Sequence, residues 1–266
     1  MSQNFYLAPW TNPTELNQAT SLLAFYASNA NIIGSLPDFF GSFPRLQDLR
    51  LSYNNLNGAL PKSFGGSGIQ NLWLNNQQNG LSGPIDVLSS MTQLSQVWLE
   101  KNQFTSPIPD LSNCISLFDL QLRDNQFTGL IPASLMSIPT FRNVSLDNNV
   151  LQEPYPQFPS NVTTHTLDGI NSFCKNTPGP YDPQVTTLLE IASAFGYPIM
   201  LANSWTGNNA CLGWTFIICD SQGNIITINF AKQQFVGTIS PVFAKLTSFR
   251  NLYLSDNNLT GSIPDA

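Results

Sequence analysis

A single motif, repeated along most of its length, limits what this chain can fold into. The motif is L-x-x-L-x-L-x-x-N-x-L-x-G-x-I-P, and its clearest copy runs from Leu46 to Pro61, with Leu49, Leu51, Asn54, Leu56 and Gly58 in place. It returns from Leu117 to Pro132 with Asn125 and Gly129, and from Phe249 to Pro264 with Asn257 and Gly261. Looser copies start at Leu22, with Ala30 in the asparagine position, at Leu94, with Ser106 in the glycine position, and at Phe141. The copy from Ile69 carries a short insertion around Gln77 and Gln78, and the copy from Ile225 has Gln233 in the asparagine position. Copies thus begin at residues 22, 46, 69, 94, 117 and 141, and again at 225 and 249, with neighbours 23 to 25 residues apart. Self-similarity at one fixed period is the signature of a stacked-repeat architecture.

Side chains alternate along the L-x-L stretch, so the leucines point inward and the residue between them points out from a short strand. The asparagine turns inward, where its amide can bond backbone groups of its own coil and of the next. Glycine permits a tight bend, and proline closes the coil without needing an N–H. One coil cannot bury its own apolar edge, but a stack of coils can. The expected fold is an α/β solenoid of leucine-rich repeats with a parallel sheet on its concave face, interrupted by a non-repeat island.

The period fails after Pro156. Asp182-Pro183 reads as a helix N-cap followed by proline at the first helical position. Val185, Leu188, Leu189, Ala192 and Phe195 follow at helical spacing, and Gly196 is a stop signal. This organises the chain as a first repeat block over residues 1–156, an island with a second cap-like unit over 157–224, and a second repeat block over 225–266.

The L-x-G-x-I-P ending is that of the plant-specific type of leucine-rich repeat. The series Trp205, Cys211, Trp214 and Cys219, spaced W-x5-C-x2-W-x4-C, resembles the N-terminal cap of plant receptor-like kinases. Two repeat blocks around an island with its own cap resemble the ectodomain of the TMK (transmembrane kinase) subfamily. So do the stretches Asn71-Leu-Trp73-Leu-Asn75, Val97-Trp98-Leu99, Leu122-Arg-Asp-Asn125 and Asn171-Ser-Phe-Cys174. The resemblance covers essentially the whole chain. It implies the extracellular recognition domain of a receptor kinase in auxin-related growth signalling at the cell surface. The implied partner is a secreted protein or co-receptor, with an auxin-binding protein among the candidates. In the cap it implies a disulfide between Cys211 and Cys219.

The chain departs from that family at its ends. It opens inside a degenerate repeat and is read as N-terminally truncated, and it stops at Ala266 before any stalk, membrane helix or kinase domain. It contains neither a glycine-rich ATP loop nor an H-R-D catalytic loop, so no enzyme activity is expected of it. Tyr181 stands where the family carries a second island cysteine. A secreted leucine-rich-repeat binder, of polygalacturonase-inhibitor or ice-binding type, is the alternative reading. No cationic segment precedes an apolar one at the N-terminus, so no signal peptide is expected, and the uncapped first coil should expose apolar edges around Phe5, Tyr6 and Leu22.

Composition narrows the chemistry. Charged residues make up 10%, net charge is −6, and there are ten Lys plus Arg. That is too few for the dense basic patch a nucleic-acid surface needs. No apolar run approaches the ~18 residues of a membrane span. The one histidine, His165, and the absence of a CxxC pair leave no metal site, cofactor site or catalytic constellation to propose. His165 reads as a solvated island residue and Cys114 as a free thiol inside a coil. Three sequons, at Asn143, Asn161 and Asn258, are candidate glycosylation sites in a secretory pathway.

The outward positions of the strands carry the remaining signal. The column between the paired leucines reads Tyr26, Arg50, Trp73, Trp98, Gln121, Ser145. The next outward column reads Ser28, Ser52, Asn75, Glu100, Arg123, Asp147, and the one beyond it includes Tyr53. Aromatic residues on an exposed sheet either cover it or bind something, and Trp and Tyr dominate interface hot spots. Tyr26, Arg50, Tyr53, Trp73, Trp98, Glu100 and Arg123 are therefore the candidate partner-binding residues.

Overall fold

The computed structural model describes the chain apart from residues 5, 153–154, 166–168, 170, 172, 176–178 and 266. It divides into two compact units. One comprises Met1–Phe127, Pro132–Asn149 and Gln157–Asn171; the other comprises Thr128–Ile131, Val150–Pro156 and Ser172–Ala266.

The first unit is built on a seven-stranded parallel sheet, each strand three residues long. The strands are β1 (Ala24–Tyr26), β2 (Asp48–Arg50), β3 (Asn71–Trp73), β4 (Gln96–Trp98), β5 (Asp119–Gln121), β6 (Asn143–Ser145) and β7 (Thr163–His165), in chain order across the sheet. Register puts Leu49, Leu72, Val97, Leu120 and Val144 in one inward row, all buried. The first leucine-type position of each motif, Leu46, Ile69, Leu94, Leu117 and Phe141, is buried beside them. This is the leucine-rich-repeat fold that the motif implied. The sheet also runs past the point where the period fails: β7 pairs with β6, Thr164 opposite Val144 and His165 opposite Ser145.

Side-chain amides join the coils. The Asn54 carbonyl oxygen accepts from the backbone N–H groups of Ala30 and Ile32, both at 3.0 Å, and its Nδ2 donates to the carbonyls of Ala27 and Leu51, both at 2.8 Å. Asn125 does the same between Phe104, Leu99 and Leu122, and Asn149 between Phe127, Leu122 and Leu146. Gln77 occupies the asparagine position of its coil: it accepts from the Leu56 N–H and donates to Leu51 and Leu74. The insertion in that repeat therefore falls after Gln77. Where Ala30 replaces the asparagine, the Trp10 indole donates to the Ala30 carbonyl at 2.7 Å. Just before the amide position of each coil of this unit, Ala30's included, the backbone turns left-handed, at Asn29, Tyr53, Asn76, Lys101, Asp124 and Asn148, with φ between 52° and 59°.

The first residues lie along the opening strand. Gln3 N–H donates to the Ser28 carbonyl, the Trp10 backbone N–H to Asn31, and the Ile33 N–H back to the Trp10 carbonyl. The expected bare edge is thus only partly present. Tyr6 is 92% exposed, whereas Leu22 is half-buried and Phe5 lies outside the described residues. Cys114 is buried with its Sγ 3.6 Å from the Leu88 and Met91 carbonyls, and burial pushes its thiol up to about 11, which keeps it unreactive.

In the second unit, helix α1 (Pro183–Ala194) starts where Asp182 caps it, accepting from the N–H groups of Gln184 and Val185. Gly196, at φ 71°, follows its end. The helix buries Val185, Leu188, Leu189, Ile191 and Ala192, and α2 (Ile199–Ser204) buries Leu201 and Ala202. Trp205 is fully buried and stacks on Trp214 with ring centres 5.0 Å apart; its indole donates to Thr215 and that of Trp214 to Thr206. Strand β8 (Ile217–Cys219) pairs antiparallel with β9 (Ile225–Asn229), which pairs parallel with β10 (Asn251–Tyr253). The hairpin thus closes the repeat sheet of this unit with a strand of opposite direction. Cys211 and Cys219 form a disulfide across the loop that carries Trp214. Asn257 is the amide of this block, accepting from the Phe235 N–H and donating to Phe230 and Leu254. Gln233 instead bonds locally to the Ala231 carbonyl.

Two outcomes follow from these bonds. Asn54→Ala strands four buried backbone groups and is expected to destabilise the first unit by about 3 kcal/mol or more in urea titration. Cys211→Ser with Cys219→Ser is expected to lower the stability of the second unit by about 2–3 kcal/mol, read as the unfolding midpoint with and without the bond.

Candidate partner-binding site on the concave sheet

The outward row of the first sheet is set by strand register, Tyr26 beside Arg50, Arg50 beside Trp73, Trp73 beside Trp98 and Trp98 beside Gln121. Parallel strands lie about 4.8 Å apart, so flat side chains in one row must stack or splay. Here they stack. The Trp73 and Trp98 rings lie 4.0 Å apart and 6° from parallel. The Arg50 guanidinium carbon sits 3.8 Å over the other face of Trp73 and 4.8 Å over Tyr26. Four side chains from four successive coils form one continuous ladder.

Carboxylates in the neighbouring row hold the ladder edges. Asp48 accepts from Arg50 at 2.8 Å and from Asn71 at 2.9 Å. Three coils on, Asp119 accepts from the Trp98 indole at 2.8 Å and from the Gln121 amide at 2.7 Å. The Trp73 indole nitrogen is buried and has no hydrogen-bond partner among the described residues. Both tryptophans are half-buried, so the row covers the sheet as well as presenting a face.

Glu100 lies in the next row. One of its oxygens accepts from Asn75 at 2.8 Å, and Asn75 is bonded in turn to Ser52. Its other oxygen is buried with no hydrogen-bond partner among the described residues. Burial pushes this carboxyl above its ordinary value of 4.5, against the pull of a backbone hydrogen bond and of the Arg123 charge. The Arg123 side chain is 46% exposed and pairs with Asp124 at 3.9 Å. Tyr53 stands apart from the ladder: it is 58% exposed at the left-handed corner of its coil, beside Asn76 and Lys101.

A cavity of about 310 Å³ opens at the far end of the ladder, lined by Trp98, Glu100, Asp119, Gln121, Thr163 and His165 among others. His165 reaches it because β7 continues the sheet. The period ends before that strand, so the repeat pattern gave no sign of it; the β-branched pair Thr163-Thr164 was the available signal. Asn143 also lines the cavity from β6, half-buried, whereas Asn161 and Asn258 are exposed. Among the described residues no group of three or more His, Cys, Asp or Glu could hold a metal ion, and no helix is long and apolar enough to cross a membrane.

A leucine-rich-repeat family model matches residues 45–67 and 248–266. The chain is 53% identical to the receptor-like kinase TMK4 of Arabidopsis thaliana over 257 residues, 96% of this chain and 28% of that protein. It is 44% identical to the receptor-like kinase TMK2 of the same plant over 247 residues, 91% of this chain and 28% of that protein. The chain therefore spans little more than a quarter of these relatives, matching their leucine-rich-repeat portion, and holds no kinase domain. Among solved structures, the Arabidopsis receptor kinase HAESA in complex with the peptide hormone IDA and the co-receptor SERK1 aligns with a TM-score of 0.53 at 23% identity. That alignment covers 83% of this chain and 38% of HAESA, a likeness of fold.

Two measurements test the geometry. A double-mutant cycle on Trp73→Ala and Trp98→Ala is expected to give a coupling of about 1 kcal/mol in unfolding free energy, the value of a stacked pair. For Glu100 the folded carboxyl titrates above the unfolded one, so its burial penalty is present at neutral pH and is relieved as pH falls through the raised value toward 4.5. Glu100→Gln is thus expected to melt no lower than the parent at neutral pH, and its advantage to vanish on acidification across that window.

Proposed function

We propose that this chain, which resembles the leucine-rich-repeat ectodomain of TMK receptor-like kinases, is the extracellular recognition module of such a receptor. Its partner docks on the concave sheet of the first unit. The observation that carries this reading is the Tyr26–Arg50–Trp73–Trp98 ladder: preorganised, half-exposed aromatic surface flanked by carboxylates, in a chain with few charges elsewhere. Rigid aromatic surface loses little entropy on binding and suits a hot spot. Glu100 and Arg123 form its charged border, and Tyr53, apart from the ladder at the coil corner, is a separate exposed contact.

The partner is a secreted protein or a co-receptor, and the signalling it controls is auxin-related growth at the outer face of the plasma membrane, with an auxin-binding protein as the candidate ligand carrier. The sheet itself offers no closed apolar cavity for a small indole acid, so auxin would act through that partner. A peptide hormone and a co-receptor are bound by HAESA, a chain of the same fold, which makes a macromolecular partner the natural class.

The test is a chimera in which this chain replaces the leucine-rich-repeat ectodomain of TMK4 in plants lacking that kinase. Restored auxin-dependent growth, lost on Trp98→Ala or Trp73→Ala at equal surface abundance, is the expected result. Restoration unaffected by both substitutions would overturn the assignment of the docking face. Glycans are expected at the exposed Asn161 and Asn258. One at Asn143 would fill the cavity beside Trp98, so glycopeptide mapping should find that sequon unoccupied in partner-binding protein.

A further inference from the structure

The ladder contains an internal precedent for a ligand. At one end, the Arg50 guanidinium lies over an indole face, Trp73, and is held by the carboxylate two residues back, Asp48. At the other end the same elements recur without the cation. Asp119 stands in the Asp48 position, and Trp98 turns an indole face that no aromatic ring or cation covers among the described residues. The Arg50 position is taken by Gln121, whose neutral amide bonds Asp119 instead. Among the described residues every side-chain donor on Asp119 is neutral: the Trp98 indole and the amides of Gln96 and Gln121. Beside it, Glu100 keeps a buried oxygen without a hydrogen-bond partner among the described residues, and burial holds that carboxyl above its ordinary range. These groups border one cavity of about 310 Å³, the low end of ligand-sized cavities and suited to a single side chain.

We infer that this cavity receives the guanidinium of an arginine side chain from the docked protein, laid on the open face of Trp98 and bonded to Glu100 and Asp119. A guanidinium is planar, stacks on indole and offers paired donors to carboxylates, which a lysine ammonium does not. Arg50 shows that this sheet already accommodates the same group in the mirror position. The inference rests on the concave sheet being the docking face, and it names the chemistry of the contact.

The experiment follows the indole N–H signals of the folded chain by NMR during titration with acetyl-Gly-Arg-Gly-amide, and in parallel with the citrulline version, which keeps the shape without the charge. A saturable shift at Trp98 with the arginine peptide alone is expected, while Trp10, Trp205 and Trp214 stay still. Glu100→Gln is expected to weaken the binding by about tenfold. Gln121→Arg, which plants a guanidinium in the vacant position, is expected to abolish it without lowering the melting temperature. No saturable shift, equal shifts with citrulline, or undiminished binding in Gln121→Arg would each overturn the inference. If the chimera loses signalling on Trp98→Ala yet the arginine peptide does not bind, the docking face stands and this assignment alone falls.

Discussion

Most coils of the repeat blocks depend on one side-chain amide at the corner after the strand, with Ala30 and Gln233 marking the exceptions. A short parallel strand with a left-handed corner leaves backbone groups that no ladder partner reaches. Buried without a bond, each would cost about 1–3 kcal/mol. The amide supplies acceptor and donors at that corner, bonding the coil before it and its own coil at once. Asn54, Asn125 and Asn149 show the full pattern. Gln77 shows that the chemistry matters more than the length, since the longer amide reaches the equivalent groups. Where Ala30 stands instead of an amide, the Trp10 indole donates to the Ala30 carbonyl. Because polar satisfaction is internal, the fold needs few charges, which is why so lean a charged composition can support it.

The amide-fixed spacing also dictates the outward face of the sheet. Coils locked at strand separation bring outward residues of successive coils within stacking distance, whatever they are. In this chain four successive residues of the row carry planar groups, and the outcome is a ladder from Tyr26 to Trp98 rather than four independent side chains. The same spacing sets the carboxylate of Asp48 beside the Arg50 guanidinium and that of Asp119 beside the Trp98 indole. The rings that shield the sheet thus also form its outward face.

The second unit solves a different problem. A solenoid block needs its first coil covered, and here a helix, a buried tryptophan pair and an antiparallel hairpin do it. The disulfide between Cys211 and Cys219 pins the loop that carries Trp214 against Trp205. A small apolar core with so few elements gains from a covalent staple, and both indole N–H groups find backbone acceptors, so burying them leaves no donor unmet.

The sequence by itself determined the coil: its period, its inward leucines, its amide, the outward rows, and the helix that begins at Asp182. These were legible because each depends on neighbours a few residues away or on one fixed period, and short-range geometry is written in residue type. The ladder's membership could be read from the rows as well. What only the tertiary structure decided was how those rows close up. It put Arg50 over Trp73 rather than out in water, and left Tyr53 off the ladder at a left-handed corner. It carried the sheet on to His165 beyond the last recognisable period, and bonded Gln3 and Trp10 to the first coil at Ser28 and Asn31. It left Glu100 with one bonded oxygen and one buried without a hydrogen-bond partner among the described residues. Each of these turns on which groups are desolvated together. Desolvation is a property of the packed stack, and no single coil contains it.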